Sequence, residues 1–154
     1  MKKITLLSFV LTLLTTISFG QVTEGQNYMS IGTFNSLTIV LPEGSEKDAA
    51  KEWVKFFKEY GKTKKNRKTD EYFTDNAEIL GMSSNSVDVY TKFDGNTMTA
   101  WFDLGGAYLS SNRHPEGYAL GEQILMDFGL HLKILMVEEE VKVEEKTLKD
   151  LEAD

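Results

Sequence analysis

The clearest pattern in the chain is a pair of alternating runs, Val87 to Phe93 and Met98 to Leu104, separated by Asp94-Gly-Asn-Thr97. Side chains of a strand point alternately to the two faces of a sheet, so this period of two predicts a β-hairpin. A register that opposes Tyr90 to Trp101 makes one face apolar and leaves the other polar except for these two aromatics. The rest of the chain must then cover the apolar face.

Helical periodicity lies on both sides of this hairpin. Ser45 and Asp48 resemble a capping box, and Gly61 stands where a C-terminal cap belongs, so a helix is predicted between them. A second, long helix is predicted from near Pro115, because proline suits the first helical turn. The apolar stripe of the first helix comprises Ala49, Trp53, Phe56, Phe57 and Tyr60, and that of the second comprises Tyr118, Ala119, Ile124, Leu125, Phe128, Leu132, Leu135 and Met136.

Shorter strands complete the predicted sheet. Residues 27–30 and 36–41 are predicted strands with a turn over residues 32–35, residues 77–81 form a further short strand, and residues 21–26 form a mobile lead. The element order predicts an α+β fold in which a mainly antiparallel sheet carries both helices on one face.

The first twenty residues have the features of a signal peptide. Lys2 and Lys3 precede a short apolar run that ends in small and polar residues, and cleavage is predicted after Gly20. We therefore expect a periplasmic or secreted protein with no membrane span after cleavage. The chain contains no cysteine, so it is not expected to be a lipoprotein or to form disulfides. The predicted organisation is a signal peptide over residues 1–20, an α+β domain over 21–136 and a charged helical extension over 137–154.

The helical extension contains a heptad-like pattern. Its heptad seam consists of Ile134, Val137, Val141, Glu144, Leu148 and Leu151, with glutamates and lysines at most other positions. Such a pattern is typical of a solvated helix or of a coiled coil. It leaves open a fraying helix end or the start of a longer coiled coil, and it predicts homo-oligomer formation through residues 130–154.

The charge balance opposes one class of partner. Without Lys2 and Lys3, 15 basic residues face 24 acidic ones, a formal net charge of −9. No nucleic-acid partner is expected, because such binding depends on lysine and arginine contacts to phosphates. One basic cluster stands out against this background and comprises Lys62, Lys64, Lys65, Arg67 and Lys68. It can contact an anionic partner, or it can be a solvated run that protects an edge strand from unwanted pairing.

The residues offer little for catalysis. The chain has two histidines. His131 lies inside the second helix, whereas His114 lies in a loop close to Ser110 and Ser111, so a small hydrolase that uses His114 with Asp103 is a remote alternative. Local helix capping explains the same loop more simply.

No metal or cofactor is expected. The acidic cluster of Asp70, Glu71, Asp75 and Glu78 lacks the spacing and the glycine of a calcium loop. Gly105-Gly106 lacks the context of a phosphate-binding loop or a dinucleotide fingerprint. We therefore expect a protein that is not an enzyme.

Surface recognition is the leading functional hypothesis. Tyr90 and Trp101 would offer an aromatic pair on the polar sheet face, with Lys92, Asp88 and Asp103 supplying polar contacts around it. This arrangement suits a glycan, peptide or protein partner. The alternative is that the pair is ordinary cross-strand stabilisation, or that the N-terminal segment or a second subunit covers it. An alternative function is a helix-grip-like carrier of a small apolar ligand, suggested by the glycines and methionines of the long helix, including Met126 and Met136.

Three short motifs carry a resemblance. Glu24-Gly-Gln26, the stretch Trp101 to Ala107, and His114-Pro-Glu116 resemble uncharacterised exported proteins of Bacteroidetes-type bacteria. The resemblance covers residues 21 to about 136. It implies export and a small α+β domain that leads into a charged coiled coil, and it implies no particular activity.

Overall fold

The computed structural model describes residues 21–152, and the predicted signal peptide lies outside them. This part of the chain forms a six-stranded sheet and two helices, which confirms the α+β class. In chain order the elements are β1 (Val22–Met29), β2 (Gly32–Val40), α1 (Glu46–Phe56), β3 (Thr63–Asn66), β4 (Glu71–Ala77), β5 (Val87–Asp94), β6 (Thr97–Asp103) and α2 (Pro115–Glu152). A single 3-10 turn, Phe57–Glu59, continues α1.

The predicted hairpin is the centre of the sheet. The strands follow the order β1-β2-β6-β5-β4-β3, and every neighbouring pair is antiparallel. Tyr90 is the direct partner of Trp101, as the alternation predicts. β5 and β6 therefore have strand neighbours on both sides, and their apolar face lies over the middle of the domain.

Both helices cover that apolar face, as predicted. The Trp53 ring stacks on Phe57 at 4.5 Å and meets the edge of Phe128 at 5.0 Å, which joins α1 to α2 above the sheet. Buried aromatic side chains of this size supply much of the hydrophobic stabilisation of a small domain. The core beneath them comprises Leu37, Ile39, Val87, Val89, Met98, Ala100, Phe102 and Leu125, among others.

The start of α2 approaches the loop before β5 closely. A Cβ atom at Gly117 would lie 2.8 Å from the backbone carbonyl oxygen of Met82, whereas one at Gly129 would come no closer than 3.4 Å to the Ile39 side chain. Glycine at position 117 therefore allows a helix-to-loop contact that a larger residue would disturb.

The predicted mobile lead over residues 21–26 is wrong, because β1 begins at Val22 and pairs with β2 along its full length. The turn is Ser30-Ile31 rather than residues 32–35. Most β1 side chains are exposed or half-buried, so the strand lacks the hydrophobic alternation that identifies a half-buried strand. Its stability comes from the backbone pairing and from side-chain contacts described below.

Two further local predictions are wrong. Of the predicted strand over residues 77–81 only Ala77 is in a strand, as the last residue of β4, and residues 78–81 are a loop. The register of β4 is irregular between Thr74 and Ala77. The predicted capping box is absent, because the Ser45 hydroxyl donates to the Pro42 carbonyl at 2.6 Å rather than to a helix amide. Two members of the basic cluster, Lys64 and Lys65, lie on the edge strand β3, and the other three flank it.

The helix α2 continues well beyond the domain. Its 38 residues span about 57 Å at 1.5 Å per residue. Its last buried residue is Leu132, and every residue from Val137 to Glu152 is exposed. Within residues 21–152, neither helix combines the length and apolarity that crossing a membrane requires. A coiled coil at this end of the helix stays a prediction.

Candidate binding pocket on the second sheet face

The β1–β2 turn folds over the sheet face that the helices leave uncovered. We call Ser30 and Ile31 the hairpin tip. The backbone amide of Ser30 donates to Glu71 Oε1 at 2.7 Å, and its hydroxyl donates to Glu71 Oε2 at 2.5 Å. Glu71 is only 4% exposed and lies on β4, four strands away from β1 in the sheet. The buried carboxylate therefore fastens the tip across the second face.

This fold-over buries Trp101. The indole is 1% exposed, and its Nε1 donates to the Asn27 carbonyl oxygen at 3.3 Å. Met29 is fully buried, and neither residue belongs to the core cluster beneath the helices. Trp101 is thus part of a second, smaller core, and its ring is not available for stacking on a ligand.

Tyr90 instead faces a shallow pocket together with Phe73. The two residues are partners across β4 and β5, and their ring centroids are 4.6 Å apart. Both side chains are half-buried. We call the cavity that they line the sheet-face pocket. Its volume is about 270 Å³, and its lining comprises Ser30, Ile31, Lys64, Lys65, Asn66, Glu71, Phe73 and Tyr90.

The two lysines of the pocket differ in their partners. Lys65 Nζ lies 2.6 Å from Asp70 Oδ1 and 5.4 Å from the centre of the Tyr72 ring. Its hydrogen bond to Asp70, followed by the charge interaction with Tyr72, raises the pKa of Lys65. Lys64 is exposed and forms no ion pair within residues 21–152. Lys64 is therefore the cation that a ligand in this pocket can use.

The Tyr90 hydroxyl stays protonated at neutral pH. Burial raises the pKa of Tyr90, and the nearby carboxylates raise it further, Asp88 most and Asp103 next. A protonated phenol can donate one hydrogen bond and accept others. The pocket thus combines an aromatic wall with a hydroxyl, an amide and an ammonium group.

The predicted carboxylates Asp88 and Asp103 hold the irregular end of β4 and the turn after β6 in place, respectively. Asp88 Oδ1 accepts from the Asn76 backbone amide at 2.9 Å. Asp103 Oδ1 accepts from the backbone amides of Gly105 and Gly106, at 3.0 and 2.6 Å. Both residues shape the surroundings of Tyr90 rather than the pocket wall.

The remaining predicted site residues lie outside the pocket lining. Lys92 is the cross-strand partner of Glu71 and Thr99. Lys62 lines a separate cavity beside α1, and Arg67 and Lys68 belong to the turn after β3. The structure thus brings together Tyr90, Lys64 and Lys65 of the predicted residues.

Five pocket residues escaped the sequence analysis as binding candidates: Ser30, Ile31, Asn66, Glu71 and Phe73. Ser30 and Ile31 reach the pocket only because the hairpin folds over. Phe73 carried a usable signal, since alternation along residues 71–77 places it on the same face as Glu71 and Asp75. The sequence analysis placed the strand over residues 77–81, after Phe73, and so did not use this alternation.

The polar contacts at the other end of β1 involve Glu24. Its carboxylate accepts from Asn35 Nδ2 at 2.7 Å, from the Ser111 backbone amide at 3.1 Å and from the Ser111 hydroxyl at 2.5 Å. Burial raises the pKa of Glu24, but these hydrogen bonds outweigh it, so the pKa lies below its usual value. Glu24 therefore ties β1 to the loop before α2.

The loop around His114 does not assemble a nucleophile and a base. The Ser111 hydroxyl donates to Glu24, and the Ser110 hydroxyl accepts from the Arg113 backbone amide at 3.3 Å. Within residues 21–152, the His114 side chain hydrogen-bonds neither serine nor Asp103. The same residues contain no group of three side chains placed to hold a metal ion. The hydrolase alternative stays a prediction without geometric support.

Comparison with protein-family models, curated proteins and solved structures finds no match. The resemblance to exported bacterial proteins therefore stays a prediction. The function has to be argued from the sheet-face pocket and from the helix surface.

Proposed function

We propose that this protein is an exported, non-catalytic binding module and that the sheet-face pocket holds a single sugar ring of a glycan partner. The observation that carries the proposal is the half-buried pair of Phe73 and Tyr90 beside the unpaired ammonium group of Lys64.

The chemistry of the pocket suits a pyranose ring. The C–H face of a sugar is apolar and packs on aromatic rings, whereas its hydroxyl groups need hydrogen-bond partners. The rings of Phe73 and Tyr90 offer an aromatic surface for the C–H face. The Tyr90 hydroxyl, the Asn66 amide and Lys64 offer hydrogen-bond partners for the sugar hydroxyl groups. The volume of about 270 Å³ is slightly below that of typical drug-sized ligand pockets, which favours one ring over a larger ligand.

The charges around the pocket favour a neutral ring at its aromatic wall. Asp88, Asp103, Asp75 and Glu71 all act on Tyr90 with negative charge. An acidic substituent would be repelled there and attracted only at the Lys64 side. We therefore expect neutral hexoses to bind with their ring on Tyr90, and uronic acids to bind only where their carboxylate reaches Lys64.

A peptide or protein partner is the second form of the same proposal. One aromatic or aliphatic side chain of an extended peptide would then occupy the pocket beside the edge strand β3. Edge strands offer unpaired backbone groups to such a peptide. The exposed Lys64 and Lys65 favour an acidic peptide over a basic one.

The test is a binding screen on residues 21–154 with an immobilised glycan panel, followed by calorimetric titration of the best neutral and uronic ligands. The variant Tyr90→Ala should weaken binding about five- to tenfold, because a lost ring contact is worth about 1 to 1.4 kcal/mol. Tyr28→Ala is the matched control, since Tyr28 is 70% exposed and does not line the pocket.

A second variant separates the charge contribution. Lys64→Gln should weaken uronic ligands more than neutral ones, and Lys51→Gln on the exposed surface of α1 should change neither. Equal binding by Tyr90→Ala and the unmodified chain would contradict the proposal. Binding of acidic peptides in place of every glycan would shift it to the peptide form.

Self-association through residues 130–154 is untested, and the charge of residues 138–152, seven acidic against three basic residues, disfavours it. An apolar-ligand carrier also stays a prediction, and the filled layer between α2 and the sheet gives it no particular support.

A further inference from the structure

The heptad seam of α2 is exposed. Its apolar side chains are between 49% and 71% exposed, and Leu130, at 57%, continues it by one step toward the domain. From Leu130 to Leu151 the steps alternate between four and three residues, which is the spacing of the a and d positions of a coiled coil. An apolar stripe of this length on a helix that leaves its domain is typical of a partner-binding surface.

The charges beside the seam oppose pairing with a second copy. In a parallel pair, Glu140 would lie against Glu145 of the second copy, and Glu144 would face its own counterpart inside the interface. Lys133 would lie against Glu138 and attract it, but this contact does not relieve the buried pair of Glu144 side chains. In an antiparallel pair, the side bearing Glu138, Glu145 and Glu152 would face itself. Like charges placed together at an interface cost up to several kcal/mol.

A neighbouring cleft extends the same acidic surface. A pocket of about 710 Å³ lies where α2 leaves the domain, beside the start of α1. Its carboxylates include Asp48 and Glu52 from α1 and Glu139, Glu140 and Glu144 from α2, and Leu132, Leu135 and Met136 supply apolar contacts. Glu140, which lies beside the heptad seam, and Glu144, which lies within it, both also line this cleft. Residues 138–152 carry seven acidic and three basic residues, a net charge of −4.

We propose that α2 is the docking site for a basic amphipathic helix of another protein. The partner helix would place apolar residues on the heptad seam and lysine or arginine residues against Glu138, Glu140 and Glu145. A cation opposite Glu144 would turn the one unfavourable position of the seam into an attractive contact. The same charges that oppose self-pairing thus select the partner. This proposal is independent of the sheet-face pocket.

The test uses residues 21–154 and two synthetic 28-residue heptad peptides with isoleucine at a and leucine at d. One peptide carries lysine at all e and g positions, and the other carries glutamate there. Fluorescence anisotropy at pH 7.5 should show binding of the lysine peptide at least tenfold tighter than binding of the glutamate peptide. The preference should fall as the salt concentration rises, because salt screens exposed charges.

Two variants locate the interaction. Val141→Asp should abolish binding of the lysine peptide, because it places a charge in the apolar seam. Glu140→Lys with Glu145→Lys should reverse the preference between the peptides. Glu78→Lys with Glu116→Lys makes the same charge change away from the seam and should leave the preference in place.

Sedimentation velocity decides against a second copy as the occupant. The chain alone should sediment as a monomer at pH 7.5. A stable dimer at pH 7.5, equal binding of the two peptides, or no binding of the lysine peptide would each overturn the proposal.

Discussion

Replacing Glu71 by glutamine is expected to release the hairpin tip from the second sheet face. In the native chain both carboxylate oxygens of this buried residue accept hydrogen bonds from Ser30, one from the backbone amide and one from the hydroxyl. A glutamine keeps one acceptor and presents an NH₂ group to the second donor. The Ser30 hydroxyl can turn to accept a hydrogen bond from this NH₂ group. Two hydrogen bonds to a charged group therefore become two hydrogen bonds between neutral groups.

The expected cost follows from that geometry. A hydrogen bond to a charged partner contributes about 1.5 to 3 kcal/mol and one between neutral groups about 0.5 to 1.5 kcal/mol. Because two hydrogen bonds change in this way, the free energy of unfolding should fall by about 2 to 3 kcal/mol in Glu71→Gln. That is a sizeable part of the roughly 5 to 15 kcal/mol of a typical domain. Because Ser30 and Ile31 line the sheet-face pocket, ligand affinity should fall as well.

Urea unfolding followed by tryptophan fluorescence measures the loss of stability. The unfolding midpoint should fall, and the dependence of the free energy of unfolding on urea concentration should not change. Glu78→Gln is the matched control, because Glu78 is an exposed residue just after β4. Its stability should stay within about 0.5 kcal/mol of the unmodified chain. If Glu71→Gln were as stable as this control, the carboxylate would not be what holds the tip.

Three further predictions concern packing and pH. Trp101→Ala should cost about 3 to 5 kcal/mol in urea unfolding, as for a buried large aromatic, while Tyr28→Ala should cost little; equal small losses would place the indole at the surface after all. Gly117→Ala should destabilise the protein by about 1 to 3 kcal/mol, because the added methyl group meets a backbone carbonyl. Gly129→Ala should stabilise it by up to about 1 kcal/mol, because alanine favours a helix more than glycine does. Thermal melts in which Gly117→Ala is the more stable of the two variants would refute this reasoning. Because the pKa of Glu24 is lowered in the folded protein, its stabilising contribution is complete above the usual value of 4.5 and is lost as the pH falls through the lower folded value. The melting temperatures of Glu24→Gln and the unmodified chain should therefore converge in acid. A constant difference between them down to pH 2.5 would contradict the assignment.

The central part of the fold was predictable because its signals are local. The alternation of residues 87–104 determines both faces and the register of the hairpin, since one slip would expose every apolar side chain. The aromatic stripe from Trp53 to Phe57 and the long stripe after Pro115 each indicate a helix with one covered face. These periodicities are sufficient to place both helices on the same side of the sheet.

The N-terminal hairpin was not predictable in the same way. Residues 22–29 form an edge strand with mostly exposed side chains, so hydrophobic alternation is absent where backbone pairing still occurs. The fold-over depends on one contact between Ser30 and Glu71, which are 41 residues apart. No local pattern encodes that contact, so the sequence offered cover of Trp101 by the N-terminal segment only as an alternative to an exposed aromatic pair.

The candidate site was therefore only half predictable. Alternation identified Tyr90 as an aromatic on the polar face, and the basic cluster indicated cations near a sheet edge. The strand between them is β4, which begins with the buried Glu71. Its Phe73 is the direct cross-strand partner of Tyr90. Because that strand was placed too late in the chain, Trp101 rather than Phe73 was expected to accompany Tyr90 at the surface.

The most direct test of the proposed function is chemical-shift mapping of ¹⁵N-labelled residues 21–154 during titration with the best ligand from the glycan panel. A ligand in the sheet-face pocket should shift the amides of Lys64, Phe73 and Tyr90 together with those of the hairpin tip, and leave the exposed end of α2 unchanged. Shifts confined to α2 or to the loop around His114, or no shifts with any glycan or acidic peptide, would contradict the account.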